Sequence, residues 1–403
     1  MQFPTQFPLS TPSAVACALG LIYLYVVRSL RWKRYNAIHR KYSAKFHAGK
    51  LTPEEAQEVV QLSFTYDYPK LLTSALSFAL FKTYAIPTIS KLLAETKQLG
   101  SQALVARRYT DTEILIATWI ACPLNGHSTC ADPGAPADDP RASIALARTN
   151  WLHSKYKISN EDFLYTLGLF MFEPATWAAR YGWRALSPLE RYASFVYWVE
   201  IGRKMNIQGI PDTAEEFQTW LRAYEEEYMI PAQSNHDVAK HTMNELLFAV
   251  PKSFGLRPFC EGIIRSLLED RVRIAMMEPE APRYASYVVH GLLGLVAFTQ
   301  RHLLLPRWKP SAAVQIPLPK IEFTSKPWYK PRGQGLRFLR DRLLVLIGIH
   351  EDIPRLQYKC EGYFLHELGP INFEQEGHEE VMNMAAELQG CPVVDAWKPE
   401  PRK

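Results

Sequence analysis

SPLERYASFVYWVEIGRKM, residues 187–205, carries the signals of a helix from its first residue onward. Ser187 is followed by a proline, and Glu190 stands three residues after Ser187, which is the spacing of a capping box. Proline suits the first helical position because the amide hydrogen that it lacks would have no partner there. Apolar residues then recur with helical spacing. This stretch therefore predicts a capped helix of several turns.

Three other stretches begin in the same way, with a hydroxyl residue three positions before an acidic one. They are Thr52 and Glu55 within LTPEEAQEVV, Ser159 and Asp162 before FLYTLGLFMF, and Thr213 and Glu216 before FQTWLRAYEEEYM. Sustained alternation of apolar and polar residues is hard to find, so the sequence predicts an all-α fold with one large helical domain. We expect the helical catalytic body over 35–313, a Pro/Lys-rich linker over 314–335, and a C-terminal helical extension over 336–403 that packs on the body.

The composition is that of a chain with a large core. Of the 403 residues, 47% are hydrophobic, and the net charge of +5 gives no broad electrostatic footprint for nucleic acid. The six cysteines are scattered without a C-x-x-C pair, which indicates neither a disulfide framework nor a zinc site and fits a reducing compartment. Nothing in the sequence indicates an oligomeric state.

The N-terminus has the pattern of a membrane anchor. The 17 residues 11–27 are uncharged and mostly apolar, and the basic stretch RSLRWKRYNAIHRK follows at once. A cleavable signal peptide has its basic residues before the apolar run, so we expect a permanent single-pass anchor and its basic flank over 1–34. The positive-inside rule then places the remaining chain in the cytosol. A buried or interfacial helix is the alternative.

The apolar stretch YASYVVHGLLGLVAF, residues 284–298, has two interpretations. It is short for a membrane span and contains His290, so it can be a core helix of the body. It can also be a helix that dips into the membrane surface.

Most catalytic signatures are missing from the sequence, including the G-x-S-x-G elbow, the phosphate loop and H-E-x-x-H. One metal hypothesis remains near the C-terminus. His350 and Asp352 spell H-x-D, and His366 or His378 would complete the two-histidine, one-carboxylate set of a non-haem iron oxygenase.

A second metal hypothesis starts from ALARTNWLHSKYKIS, residues 145–159. In a helix, Thr149, His153 and Tyr156 share one face, with Arg148 close by. That face is either a satisfied polar network in the core or a pocket that holds a cofactor or oxygen. Haem held by a histidine between apolar helices fits the second interpretation. The available imidazoles are those of His153, His236 and His241, and the nearby cations for propionates are Arg148, Lys155, Arg180 and Arg184.

Five ordered blocks of the sequence carry a family resemblance. They are ALFKTYAIPTIS (79–90), RRYTDTEILI (107–116), ARTNWLHSKY (147–156), FLYTLGLF (163–170) and GHEEVMNMAAEL (377–388). The chain resembles the fungal endoplasmic-reticulum-bound oxygenases of the MpaB type, which are related to the bacterial rubber oxygenases. The resemblance spans nearly the whole chain. It implies an all-helical enzyme of the endoplasmic reticulum membrane that uses O₂ and haem b to oxidise or cleave a lipophilic prenylated or unsaturated substrate in secondary metabolism.

The resemblance carries Arg148 and His153 over as site residues through the family's pattern of an arginine and a histidine. In the rubber oxygenases the axial histidine lies on the next helix, but the corresponding stretch FLYTLGLFMF has none. His153 as the ligand, His241 as the ligand, and a pocket without haem therefore all stay open. In the proposed chemistry Arg148 stabilises negative charge on dioxygen, and Thr149 and Tyr156 orient it by hydrogen bonds.

Two classes of function follow from these observations. The first is a membrane-anchored, haem-dependent oxygenase whose partners are the membrane and a lipophilic small molecule. The second is a non-catalytic, membrane-tethered scaffold or lipid-binding protein that has kept the fold without the cofactor, which the missing histidine of the next helix favours.

Overall fold

The four predicted helix starts are present in the computed structural model of the chain. Thr52 and Ser187 each form a complete capping box with the glutamate three residues on, and each is followed by a proline in the first turn. Ser159 and Thr213 each accept a hydrogen bond from the backbone amide three residues later. These caps satisfy amides that the first helical turn leaves without partners, so the short-range signals fix where the helices begin.

The structure describes residues 11–96, 102–126, 138–247, 250, 255–311, 314, 327–329, 336–346, 359–394 and 397. It is 74% helical, and the described residues contain no β-strand, which confirms the all-α prediction. The helices are α1 (Thr11–Arg31), α2 (Lys33–His47), α3 (Pro53–Gln61), α4 (Pro69–Thr83), α5 (Pro87–Glu95), α6 (Gln102–Ala121), α7 (Arg141–His153), α8 (Asn160–Tyr181), α9 (Pro188–Lys204), α10 (Ala214–Tyr228), α11 (Gln233–Leu246), α12 (Leu256–Leu267), α13 (Asp270–Ala275), α14 (Arg283–His302), α15 (Leu336–Leu346) and α16 (His378–Gln389). A π-helical turn over Leu62–Asp67 joins α3 to α4, and 3₁₀ turns lie at Pro327–Tyr329, Leu365–Glu367 and Ile371–Phe373.

The helices α7 and α8 form the centre of the molecule. Every residue of α7 from Arg141 to Thr149 is buried, because the helix packs against α6 on one side and α16 on the other. The helix α8 packs against α4 and α9. A helix that is covered all round must be mostly apolar, and its few polar side chains need partners inside the protein. The buried polar residues of α7 are therefore candidates for a functional site.

Glycines set how closely two helices approach at α8. A Cβ atom added to Gly168 would lie 2.7 Å from the Leu221 side chain of α10. One added to Gly202 of α9 would lie 2.5 Å from the Leu167 side chain of α8. Only a residue without a side chain fits at either position, so these glycines determine how closely α9 and α10 pack around α8.

The helix α1 stands largely clear of the rest of the protein. A stretch of Pro12–His47 has a mean hydropathy of 1.7 and is only 6% buried. Val15, Leu19, Ile22 and Tyr25 are among its exposed side chains. Within the described ranges it is the one helix that is long and apolar enough to cross a membrane.

The helix α14 is a surface helix. Ala285 and Val289 are its buried residues, and they face α8 and α12, whereas Tyr287 is 80% exposed and Leu295 is 59% exposed. A core helix would be covered on the apolar side that α14 leaves open. Of the two interpretations of residues 284–298, the exposed apolar face favours the membrane-contacting one.

The C-terminal residues 359–394 lie against the body. The helix α16 packs on α7, and the buried side chains of Tyr363, Leu368 and Val381 belong to the main hydrophobic core. Trp328 and Tyr329 of the predicted linker are buried as well. The predicted boundaries of the linker and the extension remain predictions.

Candidate functional site

A cavity of about 240 Å³ lies where α7 and α8 meet α4, α5, α6 and α9. Its surface is mostly apolar, with leucines, isoleucines, Phe163, Phe170 and Trp198 among the side chains that line it. Gly369 and Pro370, from the C-terminal residues that pack on α7, also line it. A mostly apolar cavity with a few polar groups is the usual form of a small-molecule site in a protein.

The predicted column of polar residues lies on the wall of this cavity. Thr149, His153 and Tyr156 all line it. The helix α7 ends at His153, so Tyr156 stands in the turn that follows, where its backbone amide bonds to the carbonyl of His153 at 3.0 Å. The Thr149 hydroxyl donates to the carbonyl of Ala145 at 2.9 Å, which leaves its oxygen able to accept a hydrogen bond from a bound molecule. The structure thus brings the three residues together at one cavity.

His153 is a polar group of the wall that combines a buried ring nitrogen with a shifted pKa. Its Nδ1 atom is buried and has no hydrogen-bond partner in the described part of the chain. The ring packs against the ring of Phe163, with 5.2 Å between their centroids. Burial, together with the positive charge of Arg108, lowers the pKa of His153 to about 4. The imidazole is therefore neutral at physiological pH, which is the form that can ligate a metal ion.

Arg148 has a different environment from the one predicted. Its side chain is fully buried, and its Nε, Nη1 and Nη2 atoms donate to the carbonyls of Leu368, Glu376 and Phe373 at 2.8, 2.7 and 2.7 Å. Arg148 is absent from the described residues that line the cavity. Its guanidinium group holds the C-terminal residues on α7 instead of facing the cavity.

Two glycines allow this C-terminal segment to lie directly on α7. Gly369 has φ +121°, and a Cβ there would come within 2.7 Å of the Leu152 side chain. Gly377 has φ +75°, and a Cβ there would lie 2.1 Å from the Trp151 ring. Residues 368–377, which we call the C-terminal strap, therefore pack on α7 through contacts that a side chain would block.

The other predicted imidazoles lie outside the cavity. His241 is half-buried on α11, and His236 on the same helix has its Nδ1 atom 3.2 Å from the carbonyl of Met276. Neither is among the described cavity residues, so the structure brings His153 and His241 to different places.

The four cations predicted near a haem are engaged elsewhere too. Arg184 forms ion pairs with Asp67 and Glu190, both at 2.6 Å. Lys155 lies over the Trp151 ring at 4.2 Å from its centroid, and Arg180 lies over Tyr181 at 5.7 Å. Within the described chain none of these lines the cavity.

Two residues of the predicted non-haem iron site, His350 and Asp352, lie outside the described residues. His366 and His378 are described, with 4.7 Å between their ring centroids. In the described ranges, no group of three histidine, cysteine, aspartate or glutamate side chains is placed to hold a metal ion.

Three charged residues of the wall were not predicted from the sequence as site residues. They are Arg108 and Asp111 of α6 and Asp162 of α8. Asp111 accepts hydrogen bonds from the Tyr329 hydroxyl at 2.7 Å and the Gly369 amide at 3.0 Å, and burial raises its pKa to about 6. Two adjacent arginines at the start of RRYTDTEILI were the available signal, but only the packing of α6 on α7 shows that one of them faces the cavity.

Comparisons with known proteins place these features in a family. A family model described as "ER-bound oxygenase mpaB/B'/Rubber oxygenase, catalytic domain" matches residues 147–298. This range begins within α7 and includes His153. The ER-bound oxygenase mpaB' of Penicillium brevicompactum is 30% identical over 94% of this chain and 92% of that protein. The ER-bound oxygenase mpaB of Penicillium roqueforti is 33% identical over 67% of this chain and 92% of that protein. The ER-bound oxygenase mpaB of Penicillium brevicompactum is 35% identical over 54% of this chain and 57% of that protein.

Proposed function

This chain belongs to the family of the ER-bound oxygenases mpaB and mpaB' and the rubber oxygenases, and we propose that its 240 Å³ cavity is where a lipophilic substrate reacts. As an oxygenase it is an oxidoreductase that uses O₂. The substrate that we propose is a prenylated or otherwise unsaturated molecule of secondary metabolism, oxidised at, or cleaved across, a C=C bond.

The observation that carries this proposal is a neutral imidazole at the wall of an apolar cavity. Leucine, isoleucine and phenylalanine side chains would hold a hydrocarbon chain there and keep water away from it. Thr149, His153 and Tyr156 supply the polar groups on one side, so an unsaturated carbon seated in the cavity would lie beside them.

The cavity residues fit haem b as the cofactor that we propose. The buried Nδ1 atom of His153 has no partner among the described residues, and a polar atom left in this way in a core needs a ligand or a water to bond. His153 would hold the haem through its neutral imidazole, and His241, on α11 and away from the wall, is not proposed as a ligand. When bound, haem supplies the redox chemistry that activates O₂.

We propose orienting and positioning roles for the neighbouring residues. Tyr156 would donate a hydrogen bond to an oxygen atom in the cavity, and Thr149 would accept one, because its own hydroxyl hydrogen is used by Ala145. Arg148 would act as a positioning residue, in place of the predicted contact with dioxygen. By holding the C-terminal strap it keeps Gly369 and Pro370 at the cavity and excludes water on that side.

We propose that α1 anchors the enzyme in the endoplasmic reticulum membrane, with the body in the cytosol. The second half of α1 and the first turn of α2 are joined to residues that follow α14. The Tyr23 hydroxyl donates to the carbonyl of Leu303 at 2.7 Å, and Arg34 donates to the carbonyl of Trp308 at 3.0 Å. Trp308 is 71% exposed, as an aromatic residue at a membrane interface would be.

The exposed apolar face of α14 would then rest in the same membrane interface as the end of α1. Tyr287, Leu295 and Phe298 are exposed along α14, and burying them in lipid would remove a large apolar surface from water. A membrane beside the body also suits a lipophilic substrate, which partitions into lipid before it reaches an enzyme.

The cavity is tested by filling it. Thr112 lines it from α6, and Thr112→Trp places a bulky ring there; Thr219→Trp makes the same change at an exposed position of α10. With an unsaturated prenyl compound as substrate, product formed under ¹⁸O₂ should carry ¹⁸O in the native protein and in Thr219→Trp, and should be largely lost in Thr112→Trp. Equal product from Thr112→Trp and the native protein, at equal folding, would show that the reaction occurs elsewhere.

A further inference from the structure

Arg108 is a cation on the cavity wall that the function proposed above does not use. It lies on α6, it is half-buried, and it makes no hydrogen bond or ion pair with any residue that the structure describes. Its neighbour Arg107 is the contrast, because it bonds Glu374 at 2.6 Å and lies 3.6 Å from Asp111. Of these two adjacent arginines, only the one at the cavity has no ion-pair partner among the described residues.

Neither carboxylate of the wall forms an ion pair with Arg108 in the described part of the chain. Asp111 is bonded by the Tyr329 hydroxyl and the Gly369 amide and lies beside Arg107. Asp162 accepts hydrogen bonds from the hydroxyls of Thr88 and Tyr224, both at 2.8 Å. The wall therefore carries a cation that has no ion-pair partner among the described residues, together with the negative charge of Asp162, beside a mostly apolar surface. The Arg108 guanidinium loses part of its hydration there, and an anion that enters the cavity within reach of it would pair with it.

We propose that Arg108 binds a carboxylate inside the cavity. The planar guanidinium group matches a carboxylate with two parallel hydrogen bonds, and the apolar wall would hold the hydrocarbon part of the same molecule. The acid group belongs either to the substrate, which is then a lipophilic acid, or to a haem propionate. The inference rests on the proposed function in taking this cavity as the site, and it adds the chemical class of the group that Arg108 holds.

Equilibrium binding of two matched probes separates the contribution of the acid group to affinity from that of the hydrocarbon chain. Oleate and oleyl alcohol are the probes, because they share one unsaturated chain and differ in the acid group. In the full chain purified in detergent, Arg108→Gln should weaken oleate binding about tenfold or more, and should leave oleyl alcohol binding nearly unchanged, since charge-assisted hydrogen bonds are worth about 1.5–3 kcal/mol. Arg108→Lys should retain part of the oleate affinity. Arg203→Gln, on an exposed cation of α9, is the matched control and should change neither probe.

Haem content measured on the same preparations identifies the source of the carboxylate. A loss of oleate affinity at unchanged haem content assigns Arg108 to the substrate, and a loss of bound haem at unchanged oleate affinity assigns it to a propionate. Arg108 has no ion pair with a described residue, so neither Arg108→Gln nor Arg108→Lys should lower the melting temperature, and both variants should fold. Equal weakening of both probes, or no change in either probe or in haem content, would overturn the proposal. Because binding is read without turnover, a failure here differs from a loss of ¹⁸O incorporation in Thr112→Trp.

Discussion

At the scale of single residues, Arg148 shows the limit of reading a helical face from the sequence. The spacing of Thr149, His153 and Tyr156 predicted that they share one helical face, because i, i+4 and i+7 positions lie on one side of a helix. All three line the cavity, although Tyr156 lies in the turn after α7. Arg148 lies next to them in sequence and on another side of α7, where residues more than 200 positions later cover it. Helical spacing determines which residues share a face. It does not determine which distant segment covers that face.

Replacing Arg148 tests its positioning role. Arg148→Lys keeps the charge, but one ammonium group cannot reach all three carbonyls, and a buried carbonyl without a partner costs about 1–3 kcal/mol. We expect the free energy of unfolding to fall by about 2–5 kcal/mol, with turnover per folded, haem-loaded molecule nearly retained. Arg203→Lys, on the exposed side of α9, is the control and should change neither quantity. Unchanged stability with a hundredfold loss of turnover would instead support the original prediction that Arg148 contacts dioxygen.

The protonation of His153 gives a pH dependence with a definite sign. Its pKa in the folded protein is lowered to about 4, whereas an unperturbed histidine titrates near 6.5. Between these values only the unfolded chain takes up the proton, so the folded state loses stability as the pH falls from about 6.5 towards 4. With both proteins freed of haem, the free energy of unfolding of His153→Gln should therefore fall by about 2 kcal/mol less than that of the native protein between pH 7 and pH 5. An equal change in the free energy of unfolding of the two proteins between pH 7 and pH 5 would contradict the lowered pKa.

At the scale of elements, the sequence predicted the helix starts well and the site only in part. The capping residues at Thr52, Ser159, Ser187 and Thr213 act over three positions, so the local sequence contains the whole signal. Arg108 reaches the cavity only because α6 packs on α7, and no local pattern encodes that pairing.

The two ends of α16 offer a matched pair of glycines for testing the C-terminal strap. Gly377 precedes the helix and Gly390 follows it, with φ +75° and +74°. Alanine at either site adds the strain of a left-handed conformation, but a Cβ meets the Trp151 ring only at Gly377, and nothing lies within 4 Å at Gly390. Gly377→Ala should therefore reduce the free energy of unfolding by about 1–3 kcal/mol more than Gly390→Ala. Equal losses would mean that the strap is not held tightly on α7.

At the scale of the whole molecule, the topology that we propose has the body on the cytosolic side of the membrane and α14 against the lipid. A thiol introduced as Phe298→Cys should be shielded from a water-soluble thiol reagent in intact microsomes and react once detergent is added. Arg222→Cys, at an exposed position of α10, should react in both conditions, because the proposed topology leaves that position in the cytosol. Reaction of the residue 298 thiol in intact microsomes would exclude lipid contact by α14. Shielding of both thiols would place the body in the lumen.

The central claim is that a neutral His153 holds haem in the cavity, and the visible absorption spectrum of the purified full chain tests it most directly. The account predicts an intense Soret band and about one iron per chain in the native protein. His153→Ala should lose the band or shift it strongly, and His241→Ala, altered on α11 away from the cavity, should keep it unchanged. A Soret band that survives in His153→Ala but disappears in His241→Ala, or a native protein that oxidises its substrate without haem, would contradict the claim.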